Sequence, residues 1–333
     1  MDKCVSVIIP CYNAEKTIER AIKSIYTQDY SAIELIVVDD GSTDDSKIRI
    51  LEWQDRFKKN KYDFIYVNQE NMGSGNATNT GLKYVTGDYI SLLDADDEYL
   101  QGSITERVAF LESHPECDVV RSNGWIIKGS NKRPFVYSQT EKEREDIFVA
   151  LLRGETNNWS GSYMVRSDSM FRFYPDREIY TSRYGQNLQF LLPLTYSKPC
   201  GFIDKPLMNY IQQDDSLSQT SDINLAKKRS LENAVGYRDI RIHMLKMIVT
   251  DYDEQQKYLK LIEGAYWRSI LKLAAYFKDR KILHEAFEKL KENETPTFQD
   301  KVTYYEIVFP PISYFIRLIN KLHRIIVLTN NKK

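Results

Sequence analysis

Through the first hundred positions of this chain, apolar residues come in short blocks, and a polar cluster closes each block. Residues 5–9 form a β-branched run ended by Pro10. Between positions 14 and 28, Ile18, Ala21, Ile22 and Ile25 recur at helical spacing. A second buried-strand run covers 34–38 and stops at Asp39-Asp40-Gly41-Ser42. There Thr43 or Asp44 can cap a helix carrying Ile48, Leu51 and Trp53. Positions 64–67 predict a third strand, 75–85 a helix and 89–93 a fourth strand. Apolar runs this short, bounded by acids or turn residues, suit buried parallel strands. The β-α-β-α-β-α-β order predicts an α/β fold, an open and mostly parallel sheet with flanking helices and right-handed crossovers. Ligands of such sheets bind outside the carboxyl ends of the strands. Three polar clusters fall at those ends: Pro10-Cys11-Tyr12-Asn13, Asp39-Asp40-Gly41-Ser42 and Asp94-Ala95-Asp96.

Past residue 100 the pattern changes. Positions 119–128 and 133–138 predict a hairpin around Gly129-Ser130-Asn131, with helices at 141–153 and 186–196 and a strand at 162–166. Beyond Asn224 only helical periodicity is found, at 226–248, 254–277, 281–291 and from Asp300 onward. We therefore expect a domain over 1–220, divided into halves at about residue 100, and a helical C-terminal region over 221–333. The boundary falls in the polar stretch 212–222.

Charge narrows the partners: 47 acids against 46 bases leave no whole-chain field that would draw nucleic acid. Four scattered cysteines without a Cys-x-x-Cys pair suggest reduced thiols in the cytoplasm rather than a disulfide frame or zinc site. The amino terminus lacks the pattern of a signal peptide, and no window reaches about 18 consecutive apolar residues.

Asp94 and Asp96 lie two apart at the end of a strand. Two hard oxygen ligands, completed by a ligand's phosphates, are what Mg²⁺ or Mn²⁺ prefers. A carboxylate at Asp39 can accept an imide N–H from a pyrimidine base, or a ribose hydroxyl. The stretch Asn71 to Asn79 holds two glycines, Gly73 and Gly75, before a helix whose first amides favour phosphate. It is neither a dinucleotide fingerprint nor a Walker loop. Taken singly, each motif also reads as a solvated turn or a capped strand–helix joint.

Four motifs in register carry a resemblance. Val7-Ile8-Ile9-Pro10-Cys11-Tyr12-Asn13-Ala14, Val37-Val38-Asp39-Asp40-Gly41-Ser42-Thr43-Asp44, Asn71-x-Gly73 with Ala77-Thr78-Asn79-x-Gly81, and Leu93-Asp94-Ala95-Asp96-Asp97 resemble the family 2 nucleotide-sugar glycosyltransferases of GT-A fold, over residues 4–100. The resemblance implies a UDP-type sugar donor bordered by Pro10, Tyr12, Asn13, Asn71, Gly73 and Asn79. It also implies that Asp39 reads the base, Asp94 and Ala95 lie near the ribose, and Asp96 with Asp94 holds Mn²⁺ or Mg²⁺ on the diphosphate. The family is usually inverting and needs a general base for the acceptor hydroxyl.

This chain departs from the family at several positions. Thr78 stands where relatives commonly have arginine. The helix following the acceptor region opens Ser182-Arg183-Tyr184-Gly185-Gln186-Asn187, with no acid. Glu178, then Asp176, are the nearest carboxylates and the candidate bases. Gln213 occupies a histidine position in Tyr210 to Ser218, where Asp214 or Asp215 could substitute as a ligand. Trp159 falls where relatives line the acceptor site, and an aromatic face can stack on a sugar. All four histidines read as structural or surface residues. At the C-terminus, Ile316, Ile319, Leu322, Ile326 and Val327 share a helical face beside Arg317, Lys321 and Arg324. That pattern suits an interfacial helix on the inner face of the cell membrane, or one packed on the body or in a homodimer. The expected acceptor is a glycan or lipid-linked saccharide. A non-catalytic sugar-nucleotide-binding protein is the alternative, because the usual base position is empty.

Overall fold

The computed structural model describes residues 3–59, 62–144, 146–157, 159–182, 184–212 and 222–309. It divides into two compact units, Met1–Ser216 and Leu217–Lys333.

In the first unit, strands and helices alternate as β1 (Val5–Cys11), α1 (Ile18–Tyr26), β2 (Ile33–Asp39), α2 (Ser46–Lys59), β3 (Asp63–Asn68), α3 (Ser74–Tyr84) and β4 (Tyr89–Leu92). The second half adds β5 (Glu98–Tyr99), α4 (Ser103–Ser113), β6 (Val119–Lys128), β7 (Asn131–Pro134), α5 (Gln139–Lys142) and α6 (Ile147–Arg153). It ends with β8 (Tyr163–Arg166), α7 (Ser167–Phe173), α8 (Gln186–Thr195) and β9 (Cys200–Ile211). The sheet runs β3-β2-β1-β4-β8-β6-β9-β5, with β7 paired to β6. Strands β3, β2, β1 and β4 are mutually parallel, while β8 lies antiparallel to both β4 and β6. Strand order therefore reverses at β1, whose two neighbours are β2 and β4. A reversal of this kind opens a crevice at the carboxyl ends of the strands, where α/β proteins place their ligands.

The α/β reading with a mostly parallel sheet holds, and the first four strands lie where the apolar blocks put them. Other expectations need correction. On α2 the buried face is Ile50, Trp53 and Phe57, whereas Ile48 and Leu51 are exposed. The helix expected over 141–153 is two helices: the first ends at Lys142, and Asp146 caps the second by accepting from Val149 N at 3.1 Å. The twelve-residue β9 was not anticipated. Its Asp204-Lys205-Pro206 interior interrupts the apolar alternation, at the register shift opposite Ser122 and Asn123. Helices α4 and α7 were missed as well.

The second unit is helical: α9 (Ile223–Ile248), α10 (Tyr252–Tyr276), α11 (Arg280–Asn293) and α12 (Phe298–Val308). Ile270, Leu271 and Ala274 pack with Leu283, Ala286, Phe287, Leu290 and Tyr304 as its core. Asp222, Asp251, Asp279 and Thr297 cap the four helices through their side chains. No helix among the described residues is long and apolar enough to cross a membrane. The amphipathic stretch after Phe309 and the 213–218 element lie outside the described residues.

Candidate active site

Strand register brings the polar clusters together. Cys11 pairs with Asp39, and Asp39 with Asn68, so β1, β2 and β3 end level with one another. Leu93 N donates to Ile8 O at 3.0 Å and carries β4 one residue further along β1. Asp94 thus leaves the sheet at the crevice beside Pro10.

Asp39 is buried, accepting from Ser42 N at 2.9 Å and from the Tyr66 hydroxyl at 2.9 Å. Asn13 takes a left-handed backbone, φ 49°. Its side-chain oxygen accepts from Thr43 N at 2.8 Å, and its own N–H donates to Ser42 Oγ at 3.0 Å. The Asn13 turn and the Asp39 turn are therefore one unit, with Tyr12 exposed above it. Gly41, at φ 75°, has no room for a Cβ, which would lie 2.8 Å from Asn71 N.

Next to Asp39, Asp40 is buried and accepts from Gln69 Nε2 at 2.6 Å, Met72 N at 3.0 Å and Gly73 N at 2.7 Å. It fixes the loop that delivers Gly73 (φ 87°) to the amino end of α3, where no side chain caps the helix. The first amides of α3 thus remain available to an anion. Asn79 lies deeper and is engaged elsewhere. Its side-chain amide accepts from Ile179 N at 2.8 Å and donates to Ile179 O at 2.9 Å. Two parallel bonds of that kind fix a backbone and leave the side chain little capacity for a ligand.

After β4, single carboxylate oxygens of Asp94, Asp96 and Asp97 lie within 4.8 Å of one another. Ala95 packs between them on the core. Asp97 is wholly buried; its Oδ1 accepts from Ile211 N at 2.8 Å, while its Oδ2 is buried without a partner among the described residues. Burial, and then the charge of Asp96, raise the Asp94 pKa to about 6. Asp96 is raised mainly by burial, and Asp97 well above the carboxylate range by burial and both neighbouring acids. Crowded acids with an orphaned buried oxygen are poorly matched to each other and well matched to a divalent cation. The donor set fits Mg²⁺ or Mn²⁺.

Arg20 partly offsets the cluster. Its Nη2 donates to Asp96 O, and its Nε lies 3.8 Å from Glu98. Sequence reasoning missed Arg20, since 76 positions separate it from Asp96 and nothing in α1's periodicity marks it. It also left out Asp97 and Asp40, whose roles depend on contacts that adjacency does not reveal.

The candidate bases are not brought to this edge. Three residues before and at the start of α8 meet α3 in antiparallel order. Arg177 Nη1 donates to Val85 O at 2.8 Å, Ile179 meets Asn79, and Gln186 Nε2 donates to Ser74 Oγ at 2.9 Å. Glu178 pairs with Lys83 at 2.8 Å near the carboxyl end of α3, its side chain 53% exposed. Ser74 and Lys83 are nine residues apart, which places Glu178 about 13 Å along the helix from the crevice. Asp176 is exposed at the same remote end. Nearness in sequence to α8 was misleading because the chain meets the far end of α3 before reaching it. We expect Glu178→Gln to keep donor turnover within about threefold of the parent, since an exposed ion pair contributes only about 0–1 kcal/mol. A loss of a hundredfold in initial rate would restore Glu178 as a candidate.

At the crevice itself, α8 opens with Gln186 and Asn187. Asn187 Oδ1 accepts from the Tyr163 hydroxyl at 2.6 Å and from Ser160 Oγ at 3.2 Å, and the Ser160 hydroxyl is also in reach of Asp94. Beside Ser160, Trp159 stacks on Tyr210 with centroids 5.1 Å apart and rings 4° from parallel. Phe135 meets Trp159 edge-on at 4.6 Å. Trp159 is only partly buried.

The UDP-Glc:alpha-D-GlcNAc-diphosphoundecaprenol beta-1,3-glucosyltransferase WfgD of Escherichia coli is 36% identical over 110 residues, 33% of this chain and 42% of that protein. The GalNAc(5)-diNAcBac-PP-undecaprenol beta-1,3-glucosyltransferase of Campylobacter jejuni is 40% identical over 156 residues, 45% of this chain and 49% of that one. The chain thus spans about half the length, or less, of these curated relatives. Among solved structures, S. aureus TarS 1–349 superposes with a TM-score of 0.59 at 17% identity, covering 91% of this chain and 90% of that one. The mannosyltransferase PcManGT of Pyrobaculum calidifontis superposes at 0.53 and 18%, covering 88% and 75%. At such identities the likeness shows the fold alone. The profile described as Glycosyl transferase family 2 matches residues 6–180, more than half of the chain and every strand of the crevice, so the chain belongs to glycosyl transferase family 2.

Proposed function

We propose that the protein is a metal-dependent glycosyltransferase that moves a hexose or amino-hexose from a UDP-type nucleotide sugar to a hydroxyl of a glycan or lipid-linked saccharide, with inversion. The observation that carries this reading is the convergence of three carboxylates at the end of β4 beside a buried Asp39, in a chain of this family. The names of the E. coli and C. jejuni relatives, both glucosyltransferases with diphosphoundecaprenol-linked substrates, support the acceptor class.

In this reading Asp39 accepts the imide N–H of the base, and the Asn13 turn and Tyr12 border the nucleoside. The uncapped amides of α3 face the diphosphate. Asp94, Asp96 and Asp97 would hold a divalent cation, which supplies Lewis-acid stabilisation of the leaving diphosphate when bound. The acceptor enters over Trp159, with Ser160 and Asn187 aligning its hydroxyl by hydrogen bonds. The new glycosidic C–O bond forms as the anomeric C–O bond to the diphosphate breaks, and the hydroxyl proton leaves with base or solvent.

Asn187 and Gln186 at the mouth of α8 favour a second reading, a sugar-nucleotide-binding protein without turnover, since neither amide accepts a proton. A screen of UDP-, GDP- and dTDP-sugars with Mn²⁺ or Mg²⁺ separates the two. The first reading expects metal-dependent release of UDP from at least one UDP-sugar. Tight metal-dependent binding with no release from any donor establishes the second.

A further inference from the structure

Arg107 on α4 and Arg121 on β6 are the two largest fully buried side chains, 0% and 1% exposed. Neither forms an ion pair among the described residues. A guanidinium buried without a counter-ion is costly, and an apolar side chain of similar volume would fill the space with less penalty. What these two groups hold is therefore informative.

Arg107 donates to Ser103 Oγ at 2.7 Å, Ser122 Oγ at 2.9 Å and Gly161 O at 2.5 Å, with its guanidinium 5.2 Å from the centre of the Tyr99 ring. Arg121 donates to Thr156 Oγ1 at 2.6 Å and faces the Phe202 ring at 5.7 Å. Thr156 and Gly161 flank Trp159 and Ser160 in the chain. The turn from 159 to 162 is also seated closely. At φ 77°, Gly161 has a position where an added Cβ would lie 3.0 Å from Leu93 Cδ1 and 3.0 Å from Met208 Sδ. Leu93 immediately precedes Asp94. Ser162 Oγ donates back to Trp159 O at 2.6 Å, closing the turn.

We propose that Arg107 and Arg121 are positioning residues that fix Thr156 and Gly161 on either side of a preset acceptor subsite, with Trp159 presenting a ring face to a pyranose and Ser160 set against the donor carboxylates. This rests on the transferase reading above. A fixed fork of donors can hold a backbone carbonyl or a hydroxyl beside that subsite, which a packed methionine cannot. Binding to groups already held in place avoids the entropy of fixing them on encounter.

The test uses the full-length protein with a UDP-sugar, octyl glucoside and octyl N-acetylglucosaminide as acceptor probes, and hydrolysis of the donor by water as internal reference. Ser122→Ala removes one of Arg107's acceptors without touching charge; Arg107→Met and Arg121→Met remove the clamps. The expected result is an acceptor KM raised about tenfold in Ser122→Ala and more in the arginine variants, with donor hydrolysis within about twofold of the parent. Trp159→Ala should raise the same KM. If Trp159→Ala raises acceptor KM while Ser122→Ala and every folded arginine variant leave it unchanged, the clamps are structural and the proposal is overturned. A parent enzyme that hydrolyses the donor but transfers to neither glycoside also overturns it. Failure of the transferase reading is distinct, because it appears as no metal-dependent donor hydrolysis in the parent.

Discussion

Asp96→Ala is expected to abolish metal-dependent donor turnover, by about a thousandfold or more, and at the same time to raise the thermal stability of the metal-free protein. The two effects have one origin. Asp94, Asp96 and Asp97 are held within 4.8 Å of each other, and the charge of Asp96 works against ionisation of both Asp94 and Asp97. In the folded state the Asp94 pKa is raised to about 6, above an ordinary value of 3.8. A carboxyl raised on folding binds its proton more tightly in the native state. Its contribution to stability is therefore most favourable at low pH, declines as pH rises from about 4 to above 6, and is level beyond that. Burial is the larger cause and remains when Asp96 is removed; the repulsion from Asp96 disappears. Metal-free Asp96→Ala should therefore melt above the metal-free parent at pH 8, with a smaller gap at pH 5. Added Mn²⁺ should raise the melting temperature of the parent at pH 8 by mass action and leave the variant unmoved. Melting curves at the two pH values, with and without Mn²⁺, check both halves. Full Mn²⁺ stabilisation in the variant would remove Asp96 from the metal site.

A loss of stability is expected for Asp40→Ala, by about 3 kcal/mol. The carboxylate is buried and accepts three bonds, two of them from the backbone amides of Met72 and Gly73. Bonds to a charged group contribute about 1.5–3 kcal/mol each, and a donor left unpaired adds its desolvation cost. Partial rehydration of the loop keeps the total below the simple sum of three such bonds. For a unit of this size that is a fall of roughly 6–12 °C in Tm. Because the same bonds set Gly73 at the mouth of α3, donor KM should rise about tenfold in the molecules that remain folded. Chemical denaturation and donor kinetics measure the two effects. A donor KM unchanged against a clear drop in Tm would confine Asp40 to stability.

The fold of the first hundred residues was legible because its information is local. Each strand is a short β-branched block, each ligand-side cluster directly follows one, and a parallel sheet must bring such clusters to one edge. Asp39, Asn13 and Asp94 could thus be placed from order alone. The part beyond residue 100 depends on long-range contact. Glu178 is only eight residues before Gln186, yet Arg177, Ile179 and Gln186 all meet α3, and no periodicity announces such a strap. The Arg107 and Arg121 side chains were equally silent, because charge in sequence normally signals surface and both are buried. Asn79 matched a family motif in identity while its side chain was committed to Ile179.

That strap has a consequence for how this protein can vary. Its residues Arg177, Ile179 and Gln186 are pinned at Val85, at Asn79 and at Ser74, three points along one helix. Asn79 holds both the N–H and the C=O of Ile179, and an apolar side chain at that position could make neither bond. Positions 176, 178 and 180 are exposed and can change. Related chains should therefore vary at those three positions while keeping an amide side chain opposite Ile179.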